Sequence, residues 1–244
     1  MSTAALAWRQ FRFERRMFWR NPSAAFFNIV LPLLFLILIA TAFGNARDDL
    51  EILVPGIAGF AVMTTTFTAL AFNITFLREQ GILKRVRGSP MPPLAYFGGL
   101  LGSAVANALA QVLVVVALGH LAYDLPWPRD WLELAVFTLA GVVAFGSLGI
   151  ALAHAVPNFD AVPAYTNLVM LPLIFISGTF YSTDSLPAAL EAIASALPLK
   201  HAIDGMRAAI VSGDGLEHNL GNLAALAAWG AAGVTLAVRR FRWE

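Results

Sequence analysis

Chemistry needs reactive side chains at workable spacing, and this sequence offers few. His120, His154, His201 and His218 have no carboxylate or second imidazole at metal-ligand or acid–base spacing, so packing or interfacial roles are expected of them. Neither His-Glu-x-x-His nor Gly-x-Ser-x-Gly occurs, which removes two common hydrolytic solutions. A Gly-x-x-x-x-Gly-Lys-Ser/Thr phosphate loop is also missing, so any nucleotide site would have to come from another chain. With no cysteine, disulfides and thiolate metal sites are excluded. The expectation is a chain with no catalytic residue, no metal and no cofactor of its own.

Two groups of residues remain. The first runs Glu79-Gln80-Gly81-Ile82-Leu83-Lys84-Arg85-Val86-Arg87, closed by Gly88 and Pro90. Ile82, Leu83 and Val86 make a short apolar face on a helix that is otherwise basic. So short a helix is marginal alone in water and is expected to rest on a partner, unless the segment is an ordinary basic loop. The second group is Thr64, Thr65, Thr66, Thr68, Asn73 and Thr75, with Phe67 and Phe72 beside them and Asn167, Met170 and Phe175 later in the chain. Uncharged hydroxyl, amide and aromatic groups suit contact with an amphipathic molecule. The plainer reading is that the threonines bond their own backbone and support helix packing.

The elements that must position these groups are membrane spans. Of 244 residues, 59% are hydrophobic and 13% charged, with a mean hydropathy of +0.72, and the charges are confined to short segments between long apolar runs. Six runs reach the ~20 residues needed to cross a bilayer: 24–43, 52–77, 94–122, 131–154, 161–181 and 219–238. They contain no Lys, Arg or Asp, and their one Glu, Glu133, sits at an edge. With the N-terminus inside, Arg9, Arg12, Arg15, Arg16, Arg20, Arg78, Lys84, Arg85, Arg87, Arg239, Arg240 and Arg242 are cytoplasmic. Arg47, Arg129, Lys200 and Arg207 are opposite, which accounts for all 16 Lys and Arg. The bias places both termini in the cytoplasm. The first run is too long for a signal-peptide core, so it is expected to stay uncleaved.

Outside the spans, residues 1–21 should form an interfacial amphipathic helix, with Arg9, Arg12, Arg16 and Arg20 on one face and Trp8, Phe11 and Phe18 on another. Gly98, Gly102, Ala106 and Ala110 recur every fourth residue, a stripe that permits close helix approach. Between the fifth and sixth runs, two pieces too short to span are expected in a hairpin over 182–215. Leu186, Leu190, Ile193 and Leu197 line the first, which starts at Ser185. Ile203, Met206 and Ile210 line the second, where Asp204 and Arg207 could pair. The fold class expected is an all-α integral membrane protein: an interfacial helix followed by one six-span domain over 22–244.

Taken in order along the whole chain, these features resemble the type-2 ABC exporter permease family. Glu79, Gly81, Leu83, Arg85 and Pro90 match its cytoplasmic pattern. Leu171-Pro172-Leu173-Ile174-Phe175-Ile176-Ser177-Gly178-Thr179-Phe180, then Leu186-Pro187, Leu197-Pro198-Leu199, His201 and Arg207, match its later one. The resemblance implies a permease in the cell (inner or plasma) membrane. Two copies of an ABC ATPase subunit carrying ATP and Mg would join it, with a second permease in a homo- or heterodimer and no nucleic acid. Loop 78–93 would hold a coupling helix meeting the ATPase through Glu79, Gln80, Gly81, Leu83, Lys84, Arg85 and Arg87. The second and fifth spans would line a path through Thr64, Thr68, Phe72, Asn73, Asn167, Met170 and Phe175. The hairpin would be re-entrant and close the outer end, with Ser177, Gly178, Leu197, Pro198 and Arg207 at the gate. The cargo implied is hydrophobic or amphipathic, drug-like or lipid, with lipid-linked polysaccharide as the alternative. A membrane-embedded enzyme lacks a visible catalytic set, and an ion-coupled carrier lacks intramembrane charges.

Overall fold

A bilayer interior offers backbone groups no water, so apolar runs satisfy their N–H and C=O groups within helices. The computed structural model describes residues 2–43, 46–88, 91–183 and 187–240, and among them all regular structure is helical. The helices are α1 (Thr3–Arg20), α2 (Pro22–Phe43), α3 (Arg47–Met63), α4 (Ala69–Glu79), α5 (Ile82–Arg87), α6 (Pro93–Tyr123), α7 (Trp131–Ala153), α8 (Val162–Ile176), α9 (Ala188–Ala194), α10 (Pro198–Arg207) and α11 (Leu220–Arg240). Ser185, Leu186, Pro90 and Arg242, which carry parts of the sequence reading, lie outside the described residues, as do the side chains of Arg87 and Arg240.

Six segments are long and apolar enough to cross a membrane: Ala25–Ala42, Arg47–Glu79, Leu94–Tyr123, Trp131–Ala153, Phe159–Ile176 and Leu220–Arg239. They follow the expected runs closely except at the fifth, which stops at Ile176 rather than Tyr181. Ser177 N–H still bonds Leu173 O (3.0 Å), but Gly178 then takes φ +78°, a left-handed conformation that ends the helix. The second span, α3 with α4, is the centre of the molecule and packs on α2, α6, α7 and α10. It is not a uniform α-helix. Thr64–Thr68 forms a π-turn in which Ala69 N–H reaches Thr64 O, five residues back. Gly149 on α7 makes room for it, since a Cβ there would overlap the Phe67 backbone.

α1 docks on α6. Ala7 meets Gly98, Gln10 and Phe11 meet Gly99, Phe11 meets Gly102, and the Arg15 guanidinium donates to Asn107 Oδ1. These pairs advance together along both helices, so α1 lies lengthwise on the first half of α6. The small-residue stripe thus has an occupant, and Gly99, beside the expected stripe, makes the tightest approach. Trp8 and Trp19 remain exposed, while Phe11 and Phe18 are half-buried.

The segment after α8 folds back across α3, where Gly56 has no room for a Cβ because Thr179 O lies against it. α9 is largely exposed, and Leu190 and Ile193 of the expected apolar face stay uncovered within this chain, while Leu197 is half-buried. α10 is buried instead. Leu199, Ile203 and Met206 fill the groove between α3 and α7, where Gly59 and Gly205 permit the approach of Ile203 and Phe137. The link between α9 and α10 reaches the middle of α11, where Trp229 Nε1 donates to Ala196 O (3.0 Å). The far end returns to the α6–α7 loop, where Arg129 donates to Ser212 O (3.2 Å) and Asp130 N–H to Ala209 O (3.0 Å). Asp204 pairs with Lys200 (3.0 Å), one turn behind it, rather than with Arg207.

Candidate functional site

The end of α4 is clamped to the α7–α8 loop by two adjacent residues. Arg78 donates to the carbonyl oxygens of Ala153 (2.8 Å) and Val156 (2.6 Å), satisfying acceptors that the end of α7 leaves orphaned. Glu79 Oε1 accepts from Phe159 N–H (2.9 Å) and so caps the 3₁₀ turn Phe159–Ala161 that opens the fifth span. The pair therefore places a cation at a helix C-terminus and an anion at a helical N-terminus. Phe159 packs edge-on to Phe72 and Phe76 with ring centroids 5.8 and 5.6 Å away.

α5 hangs from this clamp. Gly81 turns the chain with φ +66°, and Leu83, fully buried, anchors α5 in a cluster with Leu70, Ile74, Tyr96, Leu100 and Ile150. Gln80, Lys84 and Arg85 are exposed. The arrangement is a short helix fixed by its apolar residue with two basic side chains presented outward. It is suited to docking on an acidic or polar surface.

The residues expected along a path do not form one surface within a single chain. Thr68 and Met170 do meet, the hydroxyl lying 3.6 Å from the sulfur. Thr64 donates to Phe60 O (3.0 Å) and Ala61 O (3.1 Å) of its own helix. Phe72 is engaged by Phe159, and Asn73 faces a cavity beside α1. Asn167 and Phe175 are exposed on α8. Above them, Ser177 is buried, Gly178 supplies the turn, Pro198 is buried at the start of α10, Leu197 is half-buried, and Arg207 ends α10 half-buried.

Two polar networks were not singled out by the sequence reading. Thr65 Oγ1 donates to Gln111 Oε1 (2.6 Å), and Gln111 Nε2 donates to Asn28 O (2.7 Å) and to Asn28 Oδ1, which ties the first three spans together. At the N-terminal end of α7, the fully buried Glu133 accepts from Asn219 Nδ2 (3.0 Å). Asn222 in turn donates to Asn219 (3.2 Å) and lies 2.8 Å from His201 Nδ1. Amides inside apolar runs were the available signal, because such groups seek partners across helices. His120, His154 and His218 each place Nδ1 within 2.9 Å of a backbone carbonyl. Among the described residues no cluster of His, Asp and Glu has a metal-holding arrangement.

Comparison with known proteins gives this geometry a context. The model of the family described as ABC-2 type transporter matches residues 1–211. The inner membrane transport permease YadH of Escherichia coli (strain K12) is 22% identical over 186 residues, covering 73% of this chain and 72% of that protein. The daunorubicin resistance ABC transporter permease protein DrrB1 of Streptomyces coeruleorubidus is 28% identical over 191 residues, covering 73% of this chain and 65% of that protein. Nodulation protein J of Rhizobium leguminosarum bv. viciae is 34% identical over 110 residues, and the match spans only 42% of its length.

Proposed function

Because this chain belongs to the ABC-2 type transporter family, we propose that it is the permease subunit of an ATP-driven exporter that moves a hydrophobic or amphipathic cargo, drug-like or lipid, out of the cytoplasm or inner leaflet. Two ABC ATPase subunits supply the ATP hydrolysis, and a second permease, identical or related, completes the path. The chain sits in the cell membrane with both termini cytoplasmic, which the arginine distribution supports. The drug-resistance name of one relative supports the cargo class, as do spans free of Lys, Arg and Asp in their apolar cores.

The clamp of Arg78 and Glu79 on the α7–α8 loop is the observation that carries the reading. A partner that pushes on Lys84 and Arg85 moves α5. Leu83 and the Gly81 turn pass that displacement to the end of the second span, and Arg78 and Glu79 pass it to the fourth and fifth. Packed elements of this kind shift as units rather than deforming gradually. At the other end, the α9–α10 hairpin is re-entrant and closes the path through Ser177, Gly178, Leu197, Pro198 and Arg207.

Reconstitution with the ATPase tests the coupling assignment. Glu79→Ala removes the carboxylate that accepts from Phe159 N–H, while the Asn158 cap of the same turn stays in place. Gly81→Pro imposes a negative φ where +66° is required and deletes the N–H that bonds Arg78 O. Both variants are expected to insert and assemble, to hydrolyse ATP without responding to cargo, and to lose efflux by at least tenfold. Cargo-stimulated hydrolysis together with wild-type efflux in both would overturn the assignment.

A further inference from the structure

Between α1, the second span and the third span lies a cavity of about 260 Å³ whose polar lining is Glu14, Asn21, Thr65, Asn73, Ser103 and Asn107, with Phe18 at its side. Two of its acceptors are short of donors, Asn73 Oδ1 and the Glu14 carboxylate. Asn73 Oδ1 is buried with no donor, which in an apolar setting costs about 1–3 kcal/mol unless a donor fills the space. Thr65 spends its proton on Gln111 and retains lone pairs. Glu14 is the one ionisable residue in the lining, and Gln10 Nε2 donates to its Oε1 (2.7 Å). Among the described residues no cation pairs with it. Arg15, the adjacent cation, is turned onto Asn107 and over the rings of Phe18 and Trp19, 5.4 and 5.8 Å from their centroids. Burial pushes the Glu14 carboxyl above its ordinary range, as befits a carboxylate that lacks a counter-charge.

We propose that this cavity is a binding site for a primary ammonium group carried on an apolar tail, with Glu14 as its counter-ion, Asn73 Oδ1 and Thr65 as acceptors and Phe18 as an aromatic wall. The cavity is below the ~300–1,000 Å³ of pockets that enclose whole small molecules, so it admits the head and leaves the tail in the surrounding hydrocarbon. A −NH₃⁺ group has three protons to donate, which matches the three acceptors and relieves both the orphaned carbonyl and the unpaired carboxylate. Phe18 adds attraction for a cation close to its ring. The ammonium has two possible sources, an aminophospholipid headgroup or a free cationic amphiphile, and both present the same chemistry. The inference deepens the exporter reading by placing a first station for amine cargo beside the second span, although binding to this chain alone does not require transport.

The test uses the full chain in phosphatidylcholine nanodiscs and two photoreactive probes of equal length, a dodecylammonium and an uncharged dodecanol, with labelled peptides mapped by mass spectrometry. The ammonium probe is expected to label peptides containing Met17, Leu70 and Ala104 saturably, and the alcohol is expected to label without saturation. Glu14→Gln, nearly isosteric, should weaken saturable labelling at least tenfold. Asn73→Asp, which adds a second carboxylate, should strengthen it several-fold and covers the case in which Glu14→Gln does not fold. Equal labelling by both probes, or labelling unchanged in the two variants, overturns the site. Adding phosphatidylethanolamine to the discs separates the sources: competition assigns the site to the lipid headgroup, and persistence of labelling assigns it to a free amphiphile. Loss of ammonium selectivity with intact ATPase assembly strikes the site alone. Failure to assemble with an ATPase, with selectivity retained, strikes only the exporter reading.

Discussion

The second and fifth spans were expected to face one another along a path, yet they are built in opposite ways. In its most apolar stretch the second span is 78% buried within this chain, against 17% for the fifth. Every side of α3 is packed, its glycines are occupied by Thr179 and Ile203, and Thr65 is bonded to the third span. α8 touches the rest of the molecule mainly through Val162, Thr166 and Ile174, and leaves Leu168, Leu171 and Phe175 outside. The difference separates a frame from a facing. The second span holds a single chain together, and the fifth has its surface available for something beyond it.

The strongest way to break this comparison is at Gly56. A Cβ there would overlap a backbone carbonyl, which no rotamer change relieves. Gly56→Ala is therefore expected to exceed the ~1–3 kcal/mol of ordinary overpacking. Loss of the monodisperse peak in gel filtration, or a large fall in the thermal midpoint in detergent, would be the signature. If the variant behaves as wild type, the segment after α8 is not seated on α3 and the second span is not the frame.

Thr65→Val sharpens the same point with a smaller effect. It leaves Gln111 Oε1 without its donor, at a cost near 1 kcal/mol in a membrane protein. Thr68→Val loses only a sulfur contact at 3.6 Å and should cost less. Thermal midpoints of the two variants in one detergent check the order. An equal or reversed order would mean that the Thr65–Gln111 bond carries no special weight and that the threonines only bond their own backbone and support helix packing, the plainer possibility the sequence left open.

That possibility shows where the sequence was legible and where it was not. Run length places all six spans, because ~20 apolar residues have few other uses. The basic helix at Ile82–Arg87 and the buried face of α10 follow from apolar spacing. The π-turn at Thr64–Thr68 was not legible, since one extra residue per turn barely disturbs the periodicity of so apolar a run. The clamp by Arg78 and Glu79 was hidden for another reason. Each looks like an ordinary charge at a span end, and its partners are backbone groups 75–80 residues away, which carry no signal of residue type. Likewise Gly99 and Gly56 reveal their purpose only through what lies against them.

The smallest expected effect concerns the fifth span and decides what its surface meets. Leu168 is 75% exposed, so Leu168→Ala should change the stability of the separated chain by less than about 0.5 kcal/mol. Lipid tails are as apolar as leucine, so exposure of Leu168 in a bilayer costs nothing by itself, and hydropathy cannot distinguish a lipid-facing residue from a subunit-facing one. Crosslinking can. Leu168→Cys in a chain that has no other cysteine is expected to give disulfide-linked dimers in native membranes. Persistent monomer there and at Leu171→Cys would assign the face to lipid. A large stability loss from Leu168→Ala in the separated chain would mean that α8 is held by its own chain after all, and the contrast between the two spans would fail.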